Sequence, residues 1–192
     1  VGRESSVRAA EAAAKQNLPV GFLLQRDPAK TDVTPDDLHW VGTAGLIVRH
    51  VAASEGMHHL VVQGQSRFRV LQFLEGWPFL VARVAYVDQP ETTNREIEAR
   101  FLRLRAQAVE AIELLPNVPD ELKGVVEGID SPAQLADTVA NIIDVKKEDK
   151  QDILETFDLQ ARLDKVLAVL GARVEVLRLS KEIGDKTRKE FD

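Results

Sequence analysis

Val62-Gln63-Gly64-Gln65-Ser66-Arg67-Phe68-Arg69-Val70, VQGQSRFRV, is the stretch on which the fold turns. In a strand, side chains alternate between faces, so Arg67 and Arg69 share one face and Phe68 and Val70 the other. That pattern predicts a sheet strand with a solvated arginine face and a core-facing phenylalanine. Gly64 fits a bulge or bend where a long strand has to curl. Reading outward, PVGFLLQ, VGTAGLIVRHV, HHLVVQGQSRFRVLQFL and FLVARVAYV are rich in Val, Ile, Leu and Phe and are separated by turn chemistry. RDPAKTDVTPDD reads as a polar loop, and ASEG and LEGWP as tight turns. ESSVRAAEAAAKQN opens the chain as a short helix, with Ser5 or Ser6 as its N-cap and Asn17 and Pro19 as its end. One helix and several long strands predict a compact antiparallel barrel or curled sheet.

The second half of the chain follows a different period. In NREIEARFLRLRAQAVEAIELLP, residues Ile97, Phe101, Leu104, Ala108, Ile112 and Leu115 fall at steps of three and four, as on one face of a helix. Pro116 to Pro119 breaks that helix, and the short segment DELKGVVEGI follows. SPAQLADTVANIID then starts with Ser131 as N-cap and Pro132 at the first helical position. KKEDKQDILETFD is a further helix. From Leu159 the apolar positions 159, 163, 166, 170, 174 and 177 run on towards the end. This last helix exceeds roughly 30 residues, or about 45–50 Å at 1.5 Å per residue, more than a small bundle buries. The remainder is expected to pack on something outside this chain.

The halves also differ in charge. Residues 1–90 carry 9 basic and 9 acidic side chains, and residues 91–192 carry 16 and 22, so the second half holds the whole net charge of −6. VDQPETTN, residues 87–94, marks the change of composition and predicts two domains, 1–90 and 91–192. The lack of cysteine excludes a disulfide scaffold and a thiolate metal site. No run approaches the roughly eighteen apolar residues of a spanning helix, and no signal-peptide pattern opens the chain, so the cytoplasm is the expected compartment. The only methionine is Met57, and the final helix has no stop signal. Both features are expected of a piece of a longer protein.

Little in these residues points to catalysis. There is no GxxxxGK[ST], no GxGxxG and no G-x-S-x-G. His58 and His59 are adjacent, so in a strand they point to opposite faces and cannot grip one metal together. Asp36 and Asp37 precede LHW in a polar loop and read as cap or turn residues. No catalytic, cofactor-binding or metal-binding residue is therefore expected. Arg49, Arg67, Arg69 and Arg83 could form an RNA-binding sheet with Trp40, Phe68, Phe73 and Trp77. The neutral first half and acidic chain oppose it, because phosphate binders concentrate basic charge. Trp40, Met57, Trp77 and Phe79 sit at loop or turn edges. Two readings stand for them: core at the ends of the barrel, or an exposed apolar patch that holds unfolded polypeptide.

DDLHWVGTAGLIVRHV, then LVVQGQSRFRVLQFL, then PFLVARVAYV resembles the N-terminal domain of Lon proteases in order and spacing. SPAQLADTVANIID and KQDILETFDLQARLDKVLAVLGARVEVLRLSKEI are similar to the helical bundle and connecting helix of that family. The resemblance covers essentially the whole chain. It implies an α+β fold: a PUA-like β pseudo-barrel followed by an α-helical bundle ending in a long helix. It implies that the barrel lacks most of its first strand in a chain starting at Val1. It further implies a parent that is an ATP-dependent cytoplasmic serine protease, a hexameric ring using ATP and Mg²⁺. The ATPase module and Ser–Lys dyad would lie outside this chain, leaving it no enzymatic activity. The implied role is recognition of unfolded, damaged or tagged proteins and support of assembly with other copies. Trp40, Met57, Trp77 and Phe79 would be its substrate contacts, with the polar loop at 27–39 a further contact point. A stand-alone adaptor built on the same barrel is the alternative.

Overall fold

The structure, a computed structural model, describes residues 1–191 except 90 and 117, and at 120 and 189–191 the backbone only. Pro90 of the polar break and Asn117 of the Pro116–Pro119 helix break lie outside the described residues. The chain divides into two compact units, Val1–Asp88 and Gln89–Asp192.

The first unit opens with helix α1, Glu4–Gln16. Its N-cap is Arg3, whose carbonyl accepts from Val7 N–H at 2.9 Å, so Ser5 and Ser6 lie inside the first turn and do not cap it. The end is as expected. Asn17 adopts the left-handed conformation (φ 52°), and Leu18 N–H returns to the Ala13 carbonyl at 2.9 Å. Strands β1 (Val20–Phe22), β2 (Val41–Ala52), β3 (His58–Leu74) and β4 (Val81–Tyr86) follow. They form one antiparallel sheet in the order β1-β2-β3-β4. β1 is much shorter than the apolar run 19–25 suggests. Beyond Phe22 the chain leaves β2 and bonds instead to the end of the polar loop, His39 N–H to Leu24 O and Arg26 N–H to Asp37 O, each at 2.8 Å.

Bulges curl the long strands. Ala44 pairs with Ser66 but Gly45 with Gly64, which leaves Gln65 as the extra residue beside the predicted glycine. A second bulge lies between Val70 and Gln72, so Leu71 is skipped against β4. Because the skip shifts the alternation by one, Phe73 joins Phe68 and Val70 on the same face. These three pack with Leu23, Ala44, Ala82 and Val84 as the apolar core of this unit. The ring of Phe68 ends against Gly21, where a Cβ would lie 2.9 Å from its tip. Arg67 departs from the sequence reading: it is only 8% exposed, whereas Arg69, Arg49 and Arg83 face water. At Arg67 the strand has neighbours on both flanks, Thr43 on β2 and Val87 beyond β4, which cover the stem of a long side chain.

The second unit is all helix: α2 (Arg95–Leu114), α3 (Asp120–Glu127), α4 (Pro132–Ile142), α5 (Lys147–Glu155) and α6 (Leu159–Phe191). Among the described residues of this unit three caps are made by side chains, that of α6 by Asp158, whose Oδ2 accepts from Ala161 N–H at 2.9 Å. Asn94 Oδ1 accepts from Ile97 N–H at 2.8 Å, and Ser131 Oγ from Gln134 N–H at 3.2 Å. Leu104, Ala108, Leu135, Val139, Leu163, Val166, Leu170 and Val174 join in one core. Leu115 is exposed instead of completing the apolar face, because α2 ends at Leu114. Arg100 meets Asp164 at 2.7 Å and Arg178 meets Glu110 at 2.5 Å. Both ion pairs step forward along the two helices, so α2 and α6 run parallel. Arg162, at the start of α6, is completely buried. Its guanidinium donates to Gln89 Oε1 and to the Thr156 carbonyl (3.4 Å), and pairs with Asp137 at 3.6 Å. It fastens α4, the end of α5 and the first residue of the unit around one cation. Past Val174, α6 exposes Val176, Leu179 and Ile183.

Candidate functional site

One face of the curled sheet opens into a groove of about 1010 Å³. Its floor is the apolar face just described, with Phe68, Val70, Phe73 and Val84 among the lining residues. One wall is the first half of α1, contributing Ser5, Ser6 and Ala9; another is the end of the polar loop with Val33, Pro35 and Leu38. The turn after β3 forms the rim. Gly76 takes φ 93° there, a conformation open to glycine at little cost, and swings Trp77 to Leu80 over the edge. Trp77 is 58% exposed, Leu80 is also exposed, and Phe79 is half-buried.

The four residues singled out from the sequence separate accordingly. Trp77 and Phe79 line the groove together. Trp40 adjoins it from behind. Its ring meets Phe73 edge-on at 5.4 Å, and its indole N–H donates to the Pro35 carbonyl at 3.1 Å. Met57 lies elsewhere, in the turn between β2 and β3, with its sulfur against Gly2. Of the two readings left open, full burial holds for none of them.

The polar loop is built by its own side chains. Asp37 accepts from Lys30 Nζ at 2.7 Å, from Thr34 N–H at 2.7 Å and from Thr34 Oγ at 2.8 Å. These bonds hold its carboxyl down to about 2, the contact with Lys30 first and the Thr34 donors next. A carboxylate held that far down is a cap and not a proton carrier, as the sequence reading had it.

The ATP-dependent protease La (LON) substrate-binding domain model matches residues 1–171 of the chain. The chain belongs to that family. The Lon protease of Phenylobacterium zucineum is 48% identical over 190 residues, 98% of this chain and 24% of that protein. The Lon protease of Paraburkholderia phytofirmans is 46% identical over 192 residues, again 24% of its length. The Lon domain described here thus spans about a quarter of the curated relatives it matches. In fold it is similar to the N-terminal domain of a Mycobacterium avium complex Lon protease. That match has a TM-score of 0.69 at 22% identity, over 89% of this chain and 88% of the other. A Lon N-terminal domain protein from Xanthomonas campestris aligns at TM-score 0.59 and 16% identity, over 88% and 85%. Among the described residues no helix of this Lon domain is long and apolar enough to cross a membrane.

A second constellation in the Lon domain was not visible in the sequence. His58 meets not its neighbour His59 but His50, with His50 Nε2 2.6 Å from His58 Nδ1 and the rings stacked 4.9 Å apart. Glu11 of α1 stands beside them. The available signal was the turn chemistry at 53–57, which sets the β2–β3 register and with it the diagonal pairing of the two histidines.

Proposed function

We propose that this Lon domain holds unfolded, damaged or tagged polypeptide in the groove of its first unit, for degradation by a larger ATP-dependent protease. The observation that carries the reading is the apolar groove floor with Trp77, Phe79 and Leu80 at its rim. An unfolded chain presents apolar side chains in no fixed arrangement. An open, shallow, aromatic-edged surface suits it better than a closed pocket. The chain itself neither cleaves peptides nor hydrolyses ATP. The Ser–Lys dyad, the ATPase module and the ATP and Mg²⁺ they use belong to the rest of the parent, a cytoplasmic enzyme. Val176, Leu179 and Ile183 follow helical spacing on α6 and are solvent-exposed in this chain, which supports a role for the long helix in packing against the remainder of a hexameric parent. Six grooves around one ring raise the effective concentration of weak contacts.

Fluorescence anisotropy with a labelled, permanently unfolded protein tests the groove. The paired substitutions Trp77→Ser and Phe79→Ser are expected to weaken binding by about thirtyfold, equivalent to about 2 kcal/mol for an aromatic anchor pair. Met57→Ser, remote from the groove, serves as the control. Equal affinity in all three proteins would refute the assignment.

A further inference from the structure

We propose that Glu11, His50 and His58 form a binding site for a divalent transition-metal ion, with zinc the best match to the donor set. One ligand atom from each residue lies within 4.8 Å of the other two. Each comes from a different element, Glu11 from α1, His50 from β2 and His58 from β3. Strand register makes the pair. His50 stands opposite Leu60 and His58 opposite Ala52, so the two imidazoles are diagonal neighbours on one face of the hairpin. His58 is held further by its backbone, which exchanges both hydrogen bonds with Val1, at 2.7 and 2.8 Å.

The chemistry follows from where the nitrogens point. A neutral imidazole offers one lone-pair nitrogen, and here two ring nitrogens converge to 2.6 Å. Such a convergence is bridged either by the N–H of one ring donating to the lone pair of the other or by a metal ion that both lone pairs share. The carboxylate of Glu11, within 4.8 Å of both ring nitrogens, offers a third ligand and negative charge. Two imidazoles and one carboxylate are donors that zinc accepts, with water completing the tetrahedron. Imidazole nitrogen selects against magnesium and calcium, which prefer oxygen. Bonds of about 2.0–2.1 Å at tetrahedral angles separate two nitrogens by about 3.3 Å, so loading the site parts the rings by roughly 0.7 Å. Both histidines are half-buried and Glu11 is exposed, leaving a path for the ion from solvent. None of the three lines the groove. A bound ion would tie α1 to the β2–β3 hairpin and so brace one wall of the groove from outside.

Calorimetric titration of the 192-residue chain with zinc, joined to the visible spectrum of the cobalt(II) form, tests this. One equivalent is expected to bind, the cobalt form is expected to show the bands of a tetrahedral site, and the melting temperature is expected to rise with metal. Loss of an outer-shell partner already costs 10–100-fold in metal affinity, so His50→Asn and His58→Asn are each expected to lose at least about a hundredfold. Glu11→Gln is expected to lose about tenfold or more. It changes an exposed helix residue, so it probes the site even if a histidine variant fails to fold. His59→Asn, on the opposite face of β3, is expected to bind as the wild type does. No saturable binding, an affinity unmoved by any one of the three ligand substitutions, or a loss caused by His59→Asn would overturn the site.

Discussion

Asp37 shows how one side chain organises a loop. Its carboxylate gathers the Lys30 ammonium, the Thr34 amide and the Thr34 hydroxyl, and its pKa falls from the ordinary 3.8 to about 2. A carboxylate with a depressed folded value stabilises the fold fully above its unfolded value and loses that contribution as pH falls. The loop should therefore hold its geometry above about pH 4 and release it between pH 4 and 2. A carboxyl-carbon NMR titration should place Asp37 near 2, and Lys30→Ala should return it part of the way towards 3.8. Titration of the wild type at an ordinary value would show that these contacts are not populated in solution. At the same scale, Arg67 and Phe68 are neighbours in sequence and both are buried, on opposite faces of one strand. Alternation foretold which face each takes. It could not foretell that both faces are covered there.

At the scale of elements, close approach decides what may be substituted. A Cβ on Gly42 would run into the Phe22 carbonyl and lie 2.7 Å from the Leu23 side chain, so β1 can sit beside β2 only because this residue is glycine. Gly42→Ala is expected to cost about 1–3 kcal/mol, the range for forced overpacking. Gly184 in α6 has nothing within 4 Å of the place its Cβ would take. Gly184→Ala should add about 0.5–1 kcal/mol to helix formation there. Denaturant midpoints for the first and helical circular dichroism for the second check the pair, and a tolerated Gly42→Ala would mean that β1 is not docked as described. β3 spans His58–Leu74, the stretch expected as one long strand, because it holds no proline and turn chemistry stands only at its two ends, ASEG and LEGWP. β1 was over-read. Its apolar residues continue to Leu24, but its hydrogen-bond partners change at Phe22, and partners are not written in composition.

At the scale of the whole molecule, the two units have unequal cores. The helical unit buries a continuous set of aliphatic side chains from α2, α3, α4, α5 and α6, centred on Leu104, Leu135, Leu163 and Val166. All of these belong to Gln89–Asp192. Residues 89–192 expressed alone are therefore expected to give a helical spectrum and a cooperative thermal transition. A broad, non-cooperative melt would show that the core needs the first unit. The first unit fully buries Ala44, Phe68 and Val70 in its cluster and leaves the same face open as the groove. A surface proposed to accept apolar chain cannot also be sealed as core, so modest packing and an open groove are two sides of one arrangement.

Local signals alone carried much of this protein. The strand and helix periods, the Ser131-Pro132 start of α4, the bulge beside Gly64 and the length of α6 beyond what its bundle buries were all legible, because each depends on a few neighbours along the chain. The family resemblance was legible too, as an ordered string of such signals. Tertiary structure decided the rest: that Arg67 is covered, that Trp77 and Phe79 share a groove while Met57 does not, that Arg162 is enclosed, and that Glu11 meets His50 and His58. Each of these is set by register across strands or by packing between elements far apart in sequence. A slip of one residue would reverse every face without altering a single local propensity.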